Sequence, residues 1–97
     1  MENREYLTQL YLIYGELLTD NEKKYFEDYY FEDYSILEIA ENYKVSKSNV
    51  SKVLNVVSDK LNYYENKLNI NNNHKKIKEL IYLTNDTDLI EKIEELL

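Results

Sequence analysis

Residues 33 to 54, D-Y-S-I-L-E-I-A-E-N-Y-K-V-S-K-S-N-V-S-K-V-L, hold two helical runs with room for only a tight turn between them. Ile36, Leu37, Ile39 and Ala40 recur at helical spacing, and Val45, Val50, Val53 and Leu54 do so in a second run, so each segment has an inward side. Ser35 and Glu38 form an S-x-x-E capping box, and Ser46 stands where a second N-cap belongs. Ala40 is small enough to let two helix backbones approach, with Lys44-Val45 as the connector and Val45 plugging the turn. The pattern predicts a helix-turn-helix, whose second helix lies in a DNA major groove in proteins that use it to read sequence.

One Gly and no Pro leave few breakers elsewhere, which favours an all-helical chain with short polar connections. A first helix is expected from about Asn3 to Leu18, with Leu7, Leu10, Tyr11, Tyr14, Leu17 and Leu18 on one face. Thr19 and Glu22 make a second capping box, so another helix starts there and runs to about Tyr30, bringing Tyr25, Phe26, Tyr29 and Tyr30 to the core. A third spans roughly Ser35 to Tyr43. The fourth, about Ser46 to Leu68, is on the order of 34 Å long at 1.5 Å per residue. Its seam of Val50, Leu54, Val57, Leu61, Tyr64 and Leu68 alternates spacings of four and three. Asn69 to Asn73 reads as a polar connector, followed by two short amphipathic helices with Asp86 or Thr87 as the N-cap between them. The expectation is one all-α domain over residues 1–97. Its helix-turn-helix core lies at about 19–64, without a wing, and an extended fourth helix leads to a C-terminal helical hairpin at about 74–97.

Charge narrows the function. The net charge of -7 argues against a general nucleic-acid binder, because sequence-independent affinity comes from neutralising phosphates. The charge is unevenly spread: residues 1–45 balance at -7, residues 46–68 at +2 and residues 69–97 at -2. The expected recognition helix is thus the one net basic segment. Lys47, Ser48, Asn49, Ser51, Lys52 and Asn55 fall in its first turns. Asn49 suits adenine, Lys47 and Lys52 suit phosphate or guanine, and the serines suit phosphate. The same pattern also describes a solvated helix face behind a Ser cap.

Other chemistries find little support. Glu27, Asp28, Glu32 and Asp33 lack a nearby His or ligand spacing and read as a solvated acidic face. His74 lies alone beside Lys75 and Lys76 in a polar stretch. Without Cys there is no thiol catalysis, disulfide or thiolate metal site. No phosphate loop, dinucleotide fingerprint, nucleophile elbow or zinc motif is present, so the expectation is a non-enzyme with no cofactor and no catalytic or metal-binding residues. Eleven tyrosines invite base stacking, but most fall on inner helical stripes, where an aromatic is core. No apolar run approaches the length of a bilayer span and no signal-peptide pattern stands at the start, which predicts a cytoplasmic protein without membrane insertion. A chain of 97 residues buries a small core. The seam beyond Leu54, with Leu80, Leu83, Leu89, Ile93 and Leu96, therefore predicts a homodimer, unless the hairpin folds back and covers that seam within one chain.

The residues also carry a resemblance. Leu18-Thr19-Asp20, the Tyr- and Phe-rich helix after it, and Y-S-I-L-E-I-A-E-N-Y-K-V-S-K-S-N-V-S-K-V-L resemble the C-terminal promoter-reading region of bacterial sigma factors. With the leading Y-L-T-Q-L-Y-L-I-Y-G-E-L-L-T-D and the trailing Y-Y-E-N-K-L, the stretch from about residue 6 to 68 is similar to the YlxM family of small bacterial helix-turn-helix regulators associated with the signal recognition particle. The resemblance implies a non-enzymatic regulatory protein that binds double-stranded DNA and takes part in that pathway. It equally allows a protein-interaction module that contacts the particle's GTPase or its receptor without touching DNA.

Overall fold

Each helix begins where a side chain can take up backbone N–H groups that the helix itself leaves free. In the computed structural model, which describes residues 3–97, the helices are α1 (Arg4–Tyr14), α2 (Asp20–Tyr30), α3 (Ile36–Tyr43), α4 (Lys47–Leu68), α5 (Ile70–Tyr82) and α6 (Thr87–Leu96), with no strand among the described residues. Asn3 caps α1, and the Thr19–Glu22 and Ser35–Glu38 boxes close reciprocally at α2 and α3. Ser46 Oγ accepts from the Asn49 amide at 3.0 Å to open α4, and Asp86 opens α6. Such caps contribute about 1 kcal/mol each.

Two apolar clusters follow one another along the same side of α4. The first gathers Leu7, Leu10 and Tyr14 of α1, Leu18, Phe26 of α2, and Val57 and Leu61 of α4. The second gathers Tyr25, Ile39, Ala40, Val50 and Leu54, and Val53 touches both. Burying each large apolar side chain contributes roughly 1.5–3 kcal/mol, so α4 is the beam on which both clusters hang. Ala40 is 4% exposed between α3 and α4, as a close backbone approach requires.

The first helix ends earlier than its periodicity implies. After Tyr14 the chain tightens into a 3-10 turn, Gly15–Leu17. A 3-10 turn advances about 120° per residue instead of 100°, which swings Leu17 out to 57% exposure while Leu18 goes inward. Gly15 permits the turn, since a Cβ there would lie 3.2 Å from the Tyr11 ring. That ring stacks on Phe26 at 4.4 Å between centroids.

The Asn-rich stretch is not a connector. Asn69 takes a left-handed conformation (φ 55°, ψ 28°), and α5 starts at once with Ile70. The cause is Glu65, buried at the end of α4. Its carboxylate accepts from the Asn71 and Asn72 amides, both at 3.0 Å, and from the Tyr14 hydroxyl at 2.7 Å, while that hydroxyl accepts from the Ile70 amide at 3.2 Å. The Glu65 carboxylate thus takes two free N–H groups, and the Tyr14 hydroxyl a third, of a helix that has no N-cap side-chain bond, and the carboxylate's charge suits that helix end. The expected seam is covered differently as well: Val57 and Leu61 are buried against α1, whereas Leu68 stays 51% exposed.

α5 packs on α1 and α6, so the hairpin of α5 and α6 is joined to the rest chiefly through α5. The radius of gyration is 16.9 Å and the extents are 54 × 25 × 25 Å, against about 13 Å for a compact chain of 100 residues.

Candidate nucleic-acid interface

The α3–α4 turn owes its shape to Lys44, held at φ 55°, ψ 46°. That left-handed residue lets the Val45 amide return to the Ala40 carbonyl at 3.0 Å, and Val45 drops against the second cluster. Ile39 and Val50, both 0% exposed, lock α3 to α4 across Ala40. Tyr43 braces the same corner: its ring lies 5.0 Å from Tyr25 and its hydroxyl donates to Asp28 at 2.8 Å. Burial, with the Asp28 carboxylate behind it, pushes the Tyr43 hydroxyl up to about 12.

With the apolar residues of α4 turned inward, its first turns expose a polar arc. Lys47, Ser48, Asn49, Lys52 and Asn55 are exposed, and Ser51 is half-buried. At about 100° per residue they do not share one direction. Ser48, Lys52 and Asn55 form the outermost stripe, with Lys47 and Ser51 on one flank and Asn49 on the other. Ser51 and Asn55 also line a cleft of about 200 Å³ with Tyr29, Tyr30 and Ile36. Asp59 continues the stripe four residues past Asn55 and is exposed, so the face turns acidic there.

Sequence reading had no means of finding Arg4, the single arginine of the chain. Its guanidinium donates to the carbonyls of Tyr29 and Tyr30 at 3.0 and 2.8 Å and to Asp33 at 2.7 Å, closing the end of α2 just before the helix-turn-helix. It lies 5.1 Å from the centre of the Tyr30 ring. Lys60 similarly pairs with Glu22 at 2.6 Å. Burial alone would raise the Glu22 carboxyl, but the Lys60 ammonium and the Thr19 amide and hydroxyl outweigh it and hold it below the usual carboxylate range.

The acids expected as a solvated face are mostly engaged. Glu27 accepts from the Tyr11 hydroxyl, Asp28 from Tyr43 and Asp33 from Arg4. Among the described residues no group of three or more His, Asp or Glu is placed to hold a metal ion, and no helix is long and apolar enough to cross a membrane. His74 is half-buried, in the second turn of α5.

Comparison with known proteins places these features in context. Residues 1–97 match the family described as "Putative helix-turn-helix protein, YlxM / p13 like". A UPF0122 protein of Ureaplasma urealyticum serovar 10 is 45% identical over 93 residues, covering 96% of this chain and 94% of the relative. One from Mycoplasma capricolum is 42% identical over 88 residues, covering 91% and 70%. Another, from Caldanaerobacter subterraneus, is 40% identical over 72 residues, covering 74% and 62%.

Proposed function

Because this chain belongs to the YlxM / p13-like family of helix-turn-helix proteins, we propose that it is a cytoplasmic regulatory protein that binds duplex DNA through the first turns of α4. The observation that carries this reading is the outward stripe of Ser48, Lys52 and Asn55, with Lys47 and Asn49 beside it, on a helix whose other side is fully spent on packing. Phosphate contacts would set the register of α4 and Asn contacts to base edges would supply discrimination. Two lysines provide little non-specific affinity. A homodimer offers two recognition helices and so the larger affinity of two half-sites. The exposed Leu80, Leu83 and Leu96 of the hairpin support such pairing.

The test is duplex binding measured against salt. Lys52→Ala and Lys47→Ala should each flatten the log-log slope by about 0.9 for every phosphate that the lysine neutralises, with the fold intact because both side chains are exposed. Slopes equal to the parent's would take α4 out of the interface.

A second reading has its own support. Asp20, Glu32 and Glu41 are exposed acids beside the helix-turn-helix, a surface suited to a basic protein. On the family resemblance that protein is the signal recognition particle GTPase or its receptor. Neutralising Glu32 and Glu41 should then slow association with it, while DNA binding at low salt would be absent. If neither protein binds at micromolar concentration in low salt, this second reading is lost.

A further inference from the structure

The cleft between α1 and α5 has two unlike walls. From α1 come Gln9, Leu12, which is 78% exposed, and Ile13. From α5 come His74, Lys75 and Lys78, which share one side of that helix. The space between is about 340 Å³. No acidic side chain lines it, and among the described residues neither lysine takes part in an ion pair. The Gln9 Oε1 atom is buried with no hydrogen-bond partner. This is an apolar slot with a cationic rim.

The chain also holds the complementary shape. In α6, Asp88-Leu89 and Glu95-Leu96 repeat an acid and a leucine seven residues apart, so both pairs lie along one side, with Lys92 between them. Ile90 and Ile93 turn toward α5 and are half-buried, while Leu89 is 40% and Leu96 is 85% exposed. The acids are exposed, and neither joins an ion pair among the described residues. Residues 87–96 sum to -3, whereas residues 70–82 sum to +2.

We propose that the α1–α5 cleft is the docking site for α6 of a second copy of this chain, with the leucines seated beside Leu12 and Ile13 and the acids paired to Lys75 and Lys78. The exchange is reciprocal: each copy gives its α6 and receives the other's, the self-complementary contact that two-fold symmetry demands. Stable interfaces bury about 1,200–2,000 Å² in total, and two dockings of a short helix add their areas toward that. Lys92, between the two acids, is a donor of the kind that Gln9 Oε1 lacks. The inference rests on the homodimer reading above and specifies its contacts.

Charge exchange in the full-length protein tests it. Lys75→Glu with Lys78→Glu makes the cleft acidic; Asp88→Lys with Glu95→Lys makes α6 basic. By sedimentation equilibrium, each variant alone should dimerise at least tenfold more weakly than the parent. An equimolar mixture should regain a 1:1 dimer, because both dockings are matched again only in the mixed pair. Glu95→Lys alone, away from the first turn of α6, should show the same direction of change and guards against loss of that helix. A parent that is monomeric at tens of micromolar overturns the homodimer reading and this inference with it. A dimeric parent whose variants dimerise undiminished, or are weakened but not rescued by mixing, overturns the α6 docking while the dimer stands.

Discussion

The helices α1 to α4 and the hairpin of α5 and α6 are built by opposite economies. In the first four and the turn after α1, thirteen apolar side chains from Leu7 to Leu61 are buried, and aromatic pairs such as Tyr11–Phe26 and Tyr25–Tyr43 tie one helix to the next. In the hairpin Ile81 is the one buried apolar side chain among the described residues, while Leu80, Leu83 and Leu96 are 63, 77 and 85% exposed. The difference teaches that amphipathic periodicity does not by itself report a filled core. Both regions show it, yet only the first satisfies it within the chain. The hairpin leaves most of its leucines facing outward.

The sharpest way to break that comparison is to cut equal side chains from both regions. Leu61→Ala removes a fully buried side chain of the first cluster and should cost about 2–5 kcal/mol in denaturant unfolding. Leu83→Ala should cost no more than about 0.5 kcal/mol. Equal losses would mean that the hairpin has a core of its own. Ala40→Leu, which forces bulk between α3 and α4, should cost roughly 1–3 kcal/mol, and a fully stable variant would refute the close helix approach.

Legibility followed the range of the interactions. The Thr19–Glu22 and Ser35–Glu38 boxes were readable because both partners lie within four residues, and the inward seam of α4 followed from spacing. The start of α5 was not readable, since its N–H groups are satisfied by Glu65 and by Tyr14, a residue 56 positions from Ile70. Arg4 escaped for the same reason, with partners 25 to 29 positions away. Within the candidate interface, periodicity placed Lys52 and Ser48 outward. It could not show that Ser51 is half-buried, because the wall facing it is made by Tyr29 and Tyr30 of another helix.

The joint between the two regions is the next place to press. Glu65→Ala would leave the Asn71 and Asn72 amides and the Tyr14 hydroxyl without their acceptor, at about 1–3 kcal/mol. The loss should be local: hydrogen exchange should speed in the first turn of α5 while Leu54 and Val57 in α4 stay protected. Global loss of protection would mean that the hairpin and the core unfold as one unit.

Solution pH probes the first four helices more gently, through the Glu22 carboxyl and the Tyr43 hydroxyl. Glu22 is held below its unfolded value, so its contribution is present above the ordinary carboxylate range and is lost as pH falls through the folded-state pKa. Tyr43 is raised from 10.0 to about 12, so its contribution is complete below about pH 10 and is lost as pH rises to about 12. Glu22→Gln should flatten the acid limb of stability and Tyr43→Phe the alkaline limb, measured as denaturation midpoints across pH. Unchanged limbs would assign those losses to other groups.

The smallest expected effect concerns the turns themselves. Asp33, Lys44, Asn69 and Asn85 all have φ between 55° and 57°. Asn and Asp tolerate that region through local hydrogen bonding, but Lys has no such compensation, and its Cβ crowding costs roughly 1–2 kcal/mol. Glycine removes the crowding while adding freedom to the unfolded chain worth about 0.4–1 kcal/mol, so Lys44→Gly should stabilise the protein by about 1 kcal/mol or less. Asn85→Gly, in the hairpin, should gain nothing. The comparison is read as a shift in denaturant midpoint at constant slope. A destabilised Lys44→Gly protein would mean that the lysine stem packs on the helix-turn-helix corner, and the turn would then owe its stability to side-chain contact instead of backbone geometry.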